Sequence, residues 1–155
     1  MKIYLPHTKI LDATLISLRG YDYNKILIKG KFGYSKYFKQ RWLERESFIN
    51  IEHDSVLWPG AIESLENCIS PWCAFDYSSE TNWERDRDAG IMHSYQLGGM
   101  KITQYLIDHT KGIWDKPIDW HNCDTHLFSS TEIRCHQHFP GIVNANPVLA
   151  IQQPK

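Results

Sequence analysis

Residues 47–54 read Ser47-Phe48-Ile49-Asn50-Ile51-Glu52-His53-Asp54, an apolar and β-branched run that ends in two carboxylates spaced two apart. The run predicts a buried strand over residues 48–51. Residues i and i+2 of a strand point the same way, so Glu52 and Asp54 aim at one spot where the strand ends. Hard oxygen ligands that converge there suit Mg²⁺ or Mn²⁺, ions that usually complete their coordination with water and substrate phosphates. Solvent-facing turn residues or a helix cap are the alternative interpretation.

The sequence around this run alternates between strand-like and helix-like segments. Strands are predicted at residues 2–5, 24–29 and 72–77, and helices at residues 9–18, 34–46 and 61–67. The alternation is typical of the α/β class, with a mainly parallel central sheet flanked by helices. Ligands of such sheets lie outside the carboxyl ends of the strands, which is where Glu52 and Asp54 fall.

The second half of the chain has weaker patterns. Helices are predicted at residues 101–110 and 119–129, a strand at 131–135, an exposed loop at 78–90 and a surface tail at 144–155. The whole chain of 155 residues has the size of one ordinary domain, so a single domain over residues 1–155 is expected.

Composition excludes several classes of protein. The apolar fraction of 42% and the charged fraction of 23% are typical of a globular domain, and the net charge of −1 argues against a general nucleic-acid binder. The sequence contains neither a run of about 20 apolar residues nor a signal peptide. We therefore expect a cytoplasmic protein whose four cysteines are mostly free thiols.

A pair of histidines supplies further candidate metal ligands. His136 and His138 would share a face of a strand, and histidine is a common metal ligand. One ion could therefore take Glu52, Asp54 and one histidine, preferably His138 because it is nearer the Pro140-Gly141 turn. Exposed histidines at a strand end are the alternative.

A rival metal site is suggested by cysteine and histidine spacing. The residues that loosely match zinc spacing are Cys123, His126, Cys135 and either His136 or His138. They match no standard zinc finger or ribbon. A structural zinc site is therefore kept as a separate hypothesis.

Three more residues are candidates for chemistry. Asp119 or Asp124 could deprotonate an acceptor hydroxyl, although each could equally be a surface or capping residue. Lys101 follows Gly98-Gly99, and glycine-rich turns at helix starts suit phosphate, but the full P-loop pattern is missing. Nucleophile-elbow, Gly-x-Gly-x-x-Gly and HExxH motifs are also missing, so acyl transfer, dinucleotide redox and zincin chemistry have no support.

Several motifs occur in a characteristic order between about residues 30 and 145. They are Tyr34…Trp42, Phe48 to Asp54, Cys68…Pro71 to Tyr77, Leu97-Gly98-Gly99, Trp120…Asp124 and His136-x-His138-Phe139-Pro140. This order resembles a small glycosyltransferase-like family found in phage and bacterial genomes. The resemblance implies a GT-A-like (Rossmann-like) fold, transfer from a nucleotide sugar, and the host cytoplasm for a viral member.

The resemblance also implies roles for particular residues. Glu52-His53-Asp54 takes the place of the Asp-x-Asp-like motif that holds Mn²⁺ or Mg²⁺ against the donor diphosphate, with Glu replacing the first Asp. His138 or His136 would complete the metal shell. Asp124, or else Asp119, would act as base in an inverting enzyme.

Donor binding is implied for two further groups of residues. The end of the first strand, Pro6, His7 and Thr8, would border the nucleotide base and ribose, and Trp58 and Trp72 would stack on sugar or base. The acceptor is left open between a glycan, a modified DNA base and a protein side chain. A non-catalytic nucleotide-binding module and a zinc-stabilised module are the alternative functions.

Overall fold

The computed structural model describes residues 1–78 and 97–144. The strands are β1 Lys2–His7, β2 Asn24–Leu27, β3 Phe48–Ile51, β4 Ser55–Val56, β5 Trp72–Ser78, β6 Gly99–Ile102 and β7 His136–Asn144. The helices are α1 Asp12–Ser17, α2 Gly33–Glu44, α3 Ala61–Asn67, α4 Gln104–His109 and α5 Cys123–Ser129, the last preceded by a 3₁₀ turn at Trp120–Asn122. Apart from Ser78 and Asn144, the predicted loop 78–90 and tail 144–155 lie outside the described residues.

The seven strands form one mixed sheet in the order β2-β1-β3-β6-β5-β7-β4. Strands β2, β1, β3, β5 and β7 run in the same direction, whereas β6 and β4 run antiparallel to their neighbours. The α/β class with a mainly parallel sheet is therefore confirmed. Because β1 and β3 are parallel neighbours, their carboxyl ends meet at one edge of the sheet.

Helices cover both faces of the sheet and divide the core in two. Helices α2, α4 and α5 pack on one face, here called the α2 face, with Phe48, Trp72 and Met100 in its core. Helix α3, with residues of α1 and its flanks, packs on the other face, here called the α3 face, which includes Ile49, Ile51, Cys73, Phe75 and Leu65. Neighbouring strand residues therefore belong to different cores, as the two-residue period of a strand requires.

The predicted aromatic helix is confirmed as α2. The rings of Tyr34, Tyr37, Phe38 and Trp42 are all buried against the sheet, at helical spacing. Phe38 also stacks on Trp114, with ring centroids 4.9 Å apart. Burial of one such ring contributes roughly 1.5–3 kcal/mol, so this stripe is a main source of stability on the α2 face.

Two predictions for the second half need correction. The helix predicted at residues 101–110 is confirmed over Gln104–His109, but Lys101 and Ile102 belong to β6, because they pair with β3 on one side and β5 on the other. Helix α4 starts only after Thr103, whose hydroxyl accepts from the backbone N–H of Leu106 as an N-cap. The last strand is residues 136–144 rather than 131–135. A register shift opposite Phe75–Tyr77 accommodates Pro140, which was predicted to lie in a turn.

Helices in the described ranges are all too short or too polar to cross a bilayer. The four cysteines are unbridged, as predicted.

Candidate functional site

The two acidic residues lie on a tight turn that follows β3. The backbone N–H of Ser55 donates to the Glu52 carbonyl at 3.2 Å, which closes a four-residue turn. The predicted strand over residues 48–51 is confirmed as β3, and Glu52 and Asp54 follow its end on the turn rather than on the strand. They nevertheless lie at the carboxyl edge of the sheet, beside the end of β1.

Gly98 holds one side of this turn. Its carbonyl accepts from the Glu52 N–H at 2.9 Å and from the Ser55 hydroxyl at 3.0 Å. The next residue, Gly99, starts β6, and a Cβ there would lie 2.9 Å from the Ile142 side chain. The glycine pair therefore serves close packing and support of the acidic turn, and no helix starts there.

Helix α1 holds the other side of the turn. The His53 carbonyl accepts from the Leu11 N–H at 3.0 Å and from the Thr14 hydroxyl at 2.9 Å. Because backbone groups are bonded on both sides, the turn is fixed before any ligand binds, which is what an accurately positioned site needs.

A buried polar residue supports the site from within β3. The Asn50 amide donates to the Leu97 carbonyl at 2.7 Å and accepts from the Tyr37 hydroxyl at 2.8 Å. Asn50 thereby positions the segment that carries Gly98. The sequence analysis missed this role, although a single amide in an apolar strand is a signal for a buried hydrogen bond.

Two other carboxylates lie close enough to Glu52 to affect its ionisation. Burial first, and then the charges of Asp54 and Asp124, together raise the pKa of Glu52 to about 8. Asp54 is only 2% exposed, and Glu52 is half-buried. Burial also raises the pKa of Asp124, whose carboxylate accepts from the Thr125 N–H at 2.8 Å. The structure thus brings Asp124 to the acidic turn.

Tyr34 lies near these carboxylates. From the sequence it was assigned only to the core. Its pKa is raised well above the usual value by burial and then by the charges of Glu52 and Asp54. Its hydroxyl donates to the Pro6 carbonyl in a long hydrogen bond of 3.5 Å. A neutral phenol therefore lies between the end of β1 and the acidic turn.

The residues expected to border the nucleotide lie where β1 ends. Pro6 and His7 close this strand, and Thr8 follows it as an exposed residue. Burial lowers the pKa of His7, and the neighbouring His53 lowers it further. These three residues therefore adjoin the acidic turn.

Asp119 has a different environment from Asp124. It caps the 3₁₀ turn by accepting from the His121 N–H at 3.2 Å, and its other carboxylate oxygen lies 3.4 Å from the Lys31 ammonium. The hydrogen bonds from His121 hold its pKa below the usual value. Asp119 thus has a local structural role, and Asp124 is the aspartate whose charge reaches Glu52.

Two residues proposed for donor binding are enclosed in the core. Trp72 is 1% exposed at the amino end of β5, and its indole N–H donates to the Ile133 carbonyl at 2.8 Å, so no ring face is left for a ligand. Lys101 is 3% exposed, lies on a strand, and donates to the Cys68 carbonyl. The structure contradicts stacking by Trp72 and phosphate binding by Lys101.

Trp58 remains a candidate for donor binding. Its half-buried ring meets Phe75 edge-on, with centroids 5.7 Å apart. Its indole nitrogen is buried and has no hydrogen-bond partner within residues 1–78 and 97–144. An N–H group without a hydrogen-bond acceptor can donate a hydrogen bond to a polar atom of a ligand.

The histidines do not join the acidic turn. His138 pairs with Phe75 across β5 and β7 and lies on the α3 face, whereas Glu52 faces Tyr34 and Asp124 on the α2 face. His136 is exposed, with its ring 4.8 Å from that of His138. Completion of a Glu52–Asp54 metal shell by either histidine is therefore contradicted.

The predicted cysteine–histidine zinc grouping is also not assembled. The Cys123 thiol is directed to the Asp119 carbonyl at 3.6 Å, and His126 Nε2 lies 2.6 Å from the Ile113 carbonyl. Within the described ranges, the group of three or more suitable side chains that could hold an ion is instead Cys68, Cys73 and His138.

The acidic turn fits a divalent cation by the chemistry of its donors. Carboxylate oxygens are the ligands that Mg²⁺ and Mn²⁺ prefer. Burial and the charges of Asp54 and Asp124 disfavour the ionised form of Glu52 and raise its pKa, and a bound cation would favour that ionised form.

A pH-dependent stability follows from Glu52. Its pKa is raised from 4.5 to about 8, so between these values the folded state keeps a proton that the unfolded state has lost. Metal-free stability should therefore fall as pH rises through this window. Glu52→Gln mimics the neutral acid, and it should raise the free energy of unfolding at pH 8 by on the order of a few kcal/mol while changing it little at pH 5.

Urea denaturation in the presence of a chelator, at both pH values, measures this effect. The control is Glu132→Gln, which changes an exposed glutamate and should leave the wild-type pH dependence in place. Equal stability of wild type and Glu52→Gln at pH 8 would show that Glu52 ionises normally.

Comparisons with known proteins give a structural similarity but no family. A scan against protein-family models finds no match. A search of curated proteins also finds none. A solved structure described as a glycosyltransferase involved in the glycosylation of the major capsid of PBCV-1 aligns with 90% of this chain and 82% of its own, at 16% identity and a TM-score of 0.49. At that TM-score the similarity carries no argument about the function of this chain.

Proposed function

We propose that this chain is a metal-dependent glycosyltransferase that moves a sugar from a nucleotide-diphosphate sugar to an acceptor hydroxyl. The observation that carries the proposal is that the charges of Asp54 and Asp124 both act on Glu52 at the carboxyl edge of a mainly parallel sheet. That edge is where α/β proteins bind ligands. The order of motifs along the sequence supports the same function.

Glu52 and Asp54 hold Mn²⁺ or Mg²⁺ in this proposal. Such an ion would supply positive charge against the nucleoside diphosphate that leaves the sugar. The hydrogen bonds of the turn with the Gly98 carbonyl, the Leu11 N–H and the Thr14 hydroxyl keep it in place, so little reorganisation is needed when the ligands bind.

Donor recognition is assigned to residues around the acidic turn. Pro6, His7 and Thr8 border the base and ribose from the end of β1. Trp58 is kept as a donor-binding candidate only through its partly exposed ring, which packs against the α3-face core beside Phe75. The positions of His7 and Thr8 are supported by their location beside the turn and by their exposure.

Asp124 is assigned the role of base. Burial raises its pKa, so the ionised carboxylate accepts a proton more readily than an exposed aspartate does. It would take the proton of the acceptor hydroxyl as the new bond to the sugar forms. The acceptor can be a glycan, a modified DNA base or a protein side chain.

A thermal-shift screen tests the proposal. UDP-, GDP- and TDP-sugars are added with Mn²⁺, without Mn²⁺, and with Mn²⁺ alone. One donor at 100 times its Kd should add about 2.7 kcal/mol and raise the Tm by roughly 5–10 °C, only when metal is present. Stabilisation by nucleotide without metal, and without sugar transfer, would favour a non-catalytic binding module instead.

A further inference from the structure

A second group of ligand-type side chains lies on the α3 face, away from the acidic turn. Cys68 follows the end of α3, Cys73 lies in β5 and His138 lies in β7. One ligand atom from each residue lies within 4.8 Å of the other two. Tetrahedral zinc sites place sulfur and nitrogen ligands roughly 3.5–3.8 Å apart, so small side-chain adjustments would close the group around an ion.

The ligand atoms of this group are little used by the fold. His138 Nε2 is buried and has no hydrogen-bond partner in the described part of the chain. An unsatisfied buried polar atom costs about 1–3 kcal/mol. The buried Cys73 thiol is directed to the Leu65 carbonyl at 4.0 Å, which is a weak contact, and it also interacts with the Cys68 thiol, the other proposed ligand. An ion that binds His138 Nε2 and the Cys73 sulfur would therefore satisfy a buried polar atom without breaking a strong hydrogen bond.

The donor set selects a particular class of metal. Two thiolates and one imidazole suit zinc, whereas Mg²⁺ and Mn²⁺ prefer the carboxylates of the acidic turn. Burial raises the pKa of the Cys73 thiol, and the nearby Lys101 ammonium partly opposes this rise. Two thiolates would balance the charge of Zn²⁺, and their protons would be released to solvent on binding.

We propose that Cys68, Cys73 and His138 bind one zinc ion, with the fourth position open to water. The ion joins the end of α3 to β5 and β7, so its role is to fix the α3 face of the sheet. This site shares only His138 with the zinc grouping suggested by sequence spacing. It is also independent of the proposed function, because it uses none of the carboxylates.

Cys135 offers a matched control. It lies close enough for its charge to affect the pKa of Cys73, yet it packs against the core of the α2 face and is outside the ligand group. Cys135→Ser therefore removes a neighbouring thiol without removing a proposed ligand.

Zinc binding is measured on the full chain after reduction and removal of metal with a chelator. A competition titration with a chromophoric chelator should give one zinc ion per chain. Cobalt in place of zinc should show a sulfur-to-metal charge-transfer band and the visible bands of a tetrahedral site, which report thiolate ligands directly. Absence of zinc uptake by the reduced protein overturns the proposal.

Substitutions identify the ligands. Cys68→Ser and His138→Asn change half-buried residues and should each weaken zinc binding at least about 100-fold, since even partners of metal ligands contribute about 10–100-fold. Cys135→Ser should keep the wild-type affinity within about 2-fold, which is smaller than the loss of any ligand. Circular dichroism checks that each variant is folded, and the cobalt spectrum of Cys68→Ser should lose charge-transfer intensity.

Two outcomes contradict the assignment. Unchanged affinity in both Cys68→Ser and His138→Asn would place the ion elsewhere, and an equal loss in Cys135→Ser would replace the proposed ligand set. Stabilisation by Mn²⁺ with a nucleotide sugar should persist in Cys68→Ser. Failure of the zinc site is therefore distinguishable from failure of the proposed transferase.

Discussion

Asp54→Asn should lower sugar transfer by about 1000-fold or more while the protein stays folded. The substitution keeps the shape of the side chain and removes one negative metal ligand. Metal ions supply several kcal/mol of charge stabilisation in phosphate chemistry, and about 4 kcal/mol corresponds to a factor of 1000 in rate. The stabilisation by Mn²⁺ together with donor should disappear in the same variant.

The measurements are initial rates of transfer at saturating donor and the Tm with and without Mn²⁺. Asp115→Asn is the matched control, since it removes an aspartate that is exposed and pairs with Lys39 at 3.3 Å. It should keep wild-type rates and the full metal-dependent shift. Wild-type transfer by Asp54→Asn would refute the metal assignment.

The strand that precedes the acidic residues could be predicted because its signals are local. The four residues of β3 are all buried, as the apolar run indicated. The stripe of α2 likewise follows from spacing, since Tyr34 and Trp42 lie on the same helix face. The parallel order of β1 and β3 then places the acidic turn at the ligand edge without any further information.

The partners of His138 could not be predicted from spacing. Its orientation depends on the register of β7 against β5, and a shift of one residue would move it to the opposite face. The register shift around Tyr77 absorbs Pro140 and lets the strand continue, which no local pattern revealed. The sequence therefore indicated metal-binding chemistry at His138, but the face of the sheet was set by long-range pairing.

The positions of Lys101 and Trp72 also could not be predicted from local sequence patterns. A lysine after two glycines is typical of a phosphate loop, and a tryptophan is typical of a stacking platform. Both residues are instead in strands that pair on two sides, and both are almost completely enclosed. Whether such residues are buried depends on which strands are central in the sheet. The strand order therefore determines that Lys101 and Trp72 are enclosed.

Asp124→Asn should reduce turnover by about 100–10,000-fold with little change in donor affinity. Loss of a general base typically costs this much, whereas the amide retains the size of the side chain and an oxygen for the Thr125 N–H. The turnover number and the Kd for donor with Mn²⁺ are measured separately, because a base acts on kcat and a donor ligand acts on binding.

Asp119→Asn distinguishes the two aspartates. It removes the charge that pairs with Lys31 but keeps an oxygen for the cap, so turnover should stay close to wild type. If Asp119→Asn loses transfer and Asp124→Asn retains it, the base assignment is reversed. If the affinity for the sugar donor collapses in Asp124→Asn, Asp124 is part of the metal and donor site and is not the base.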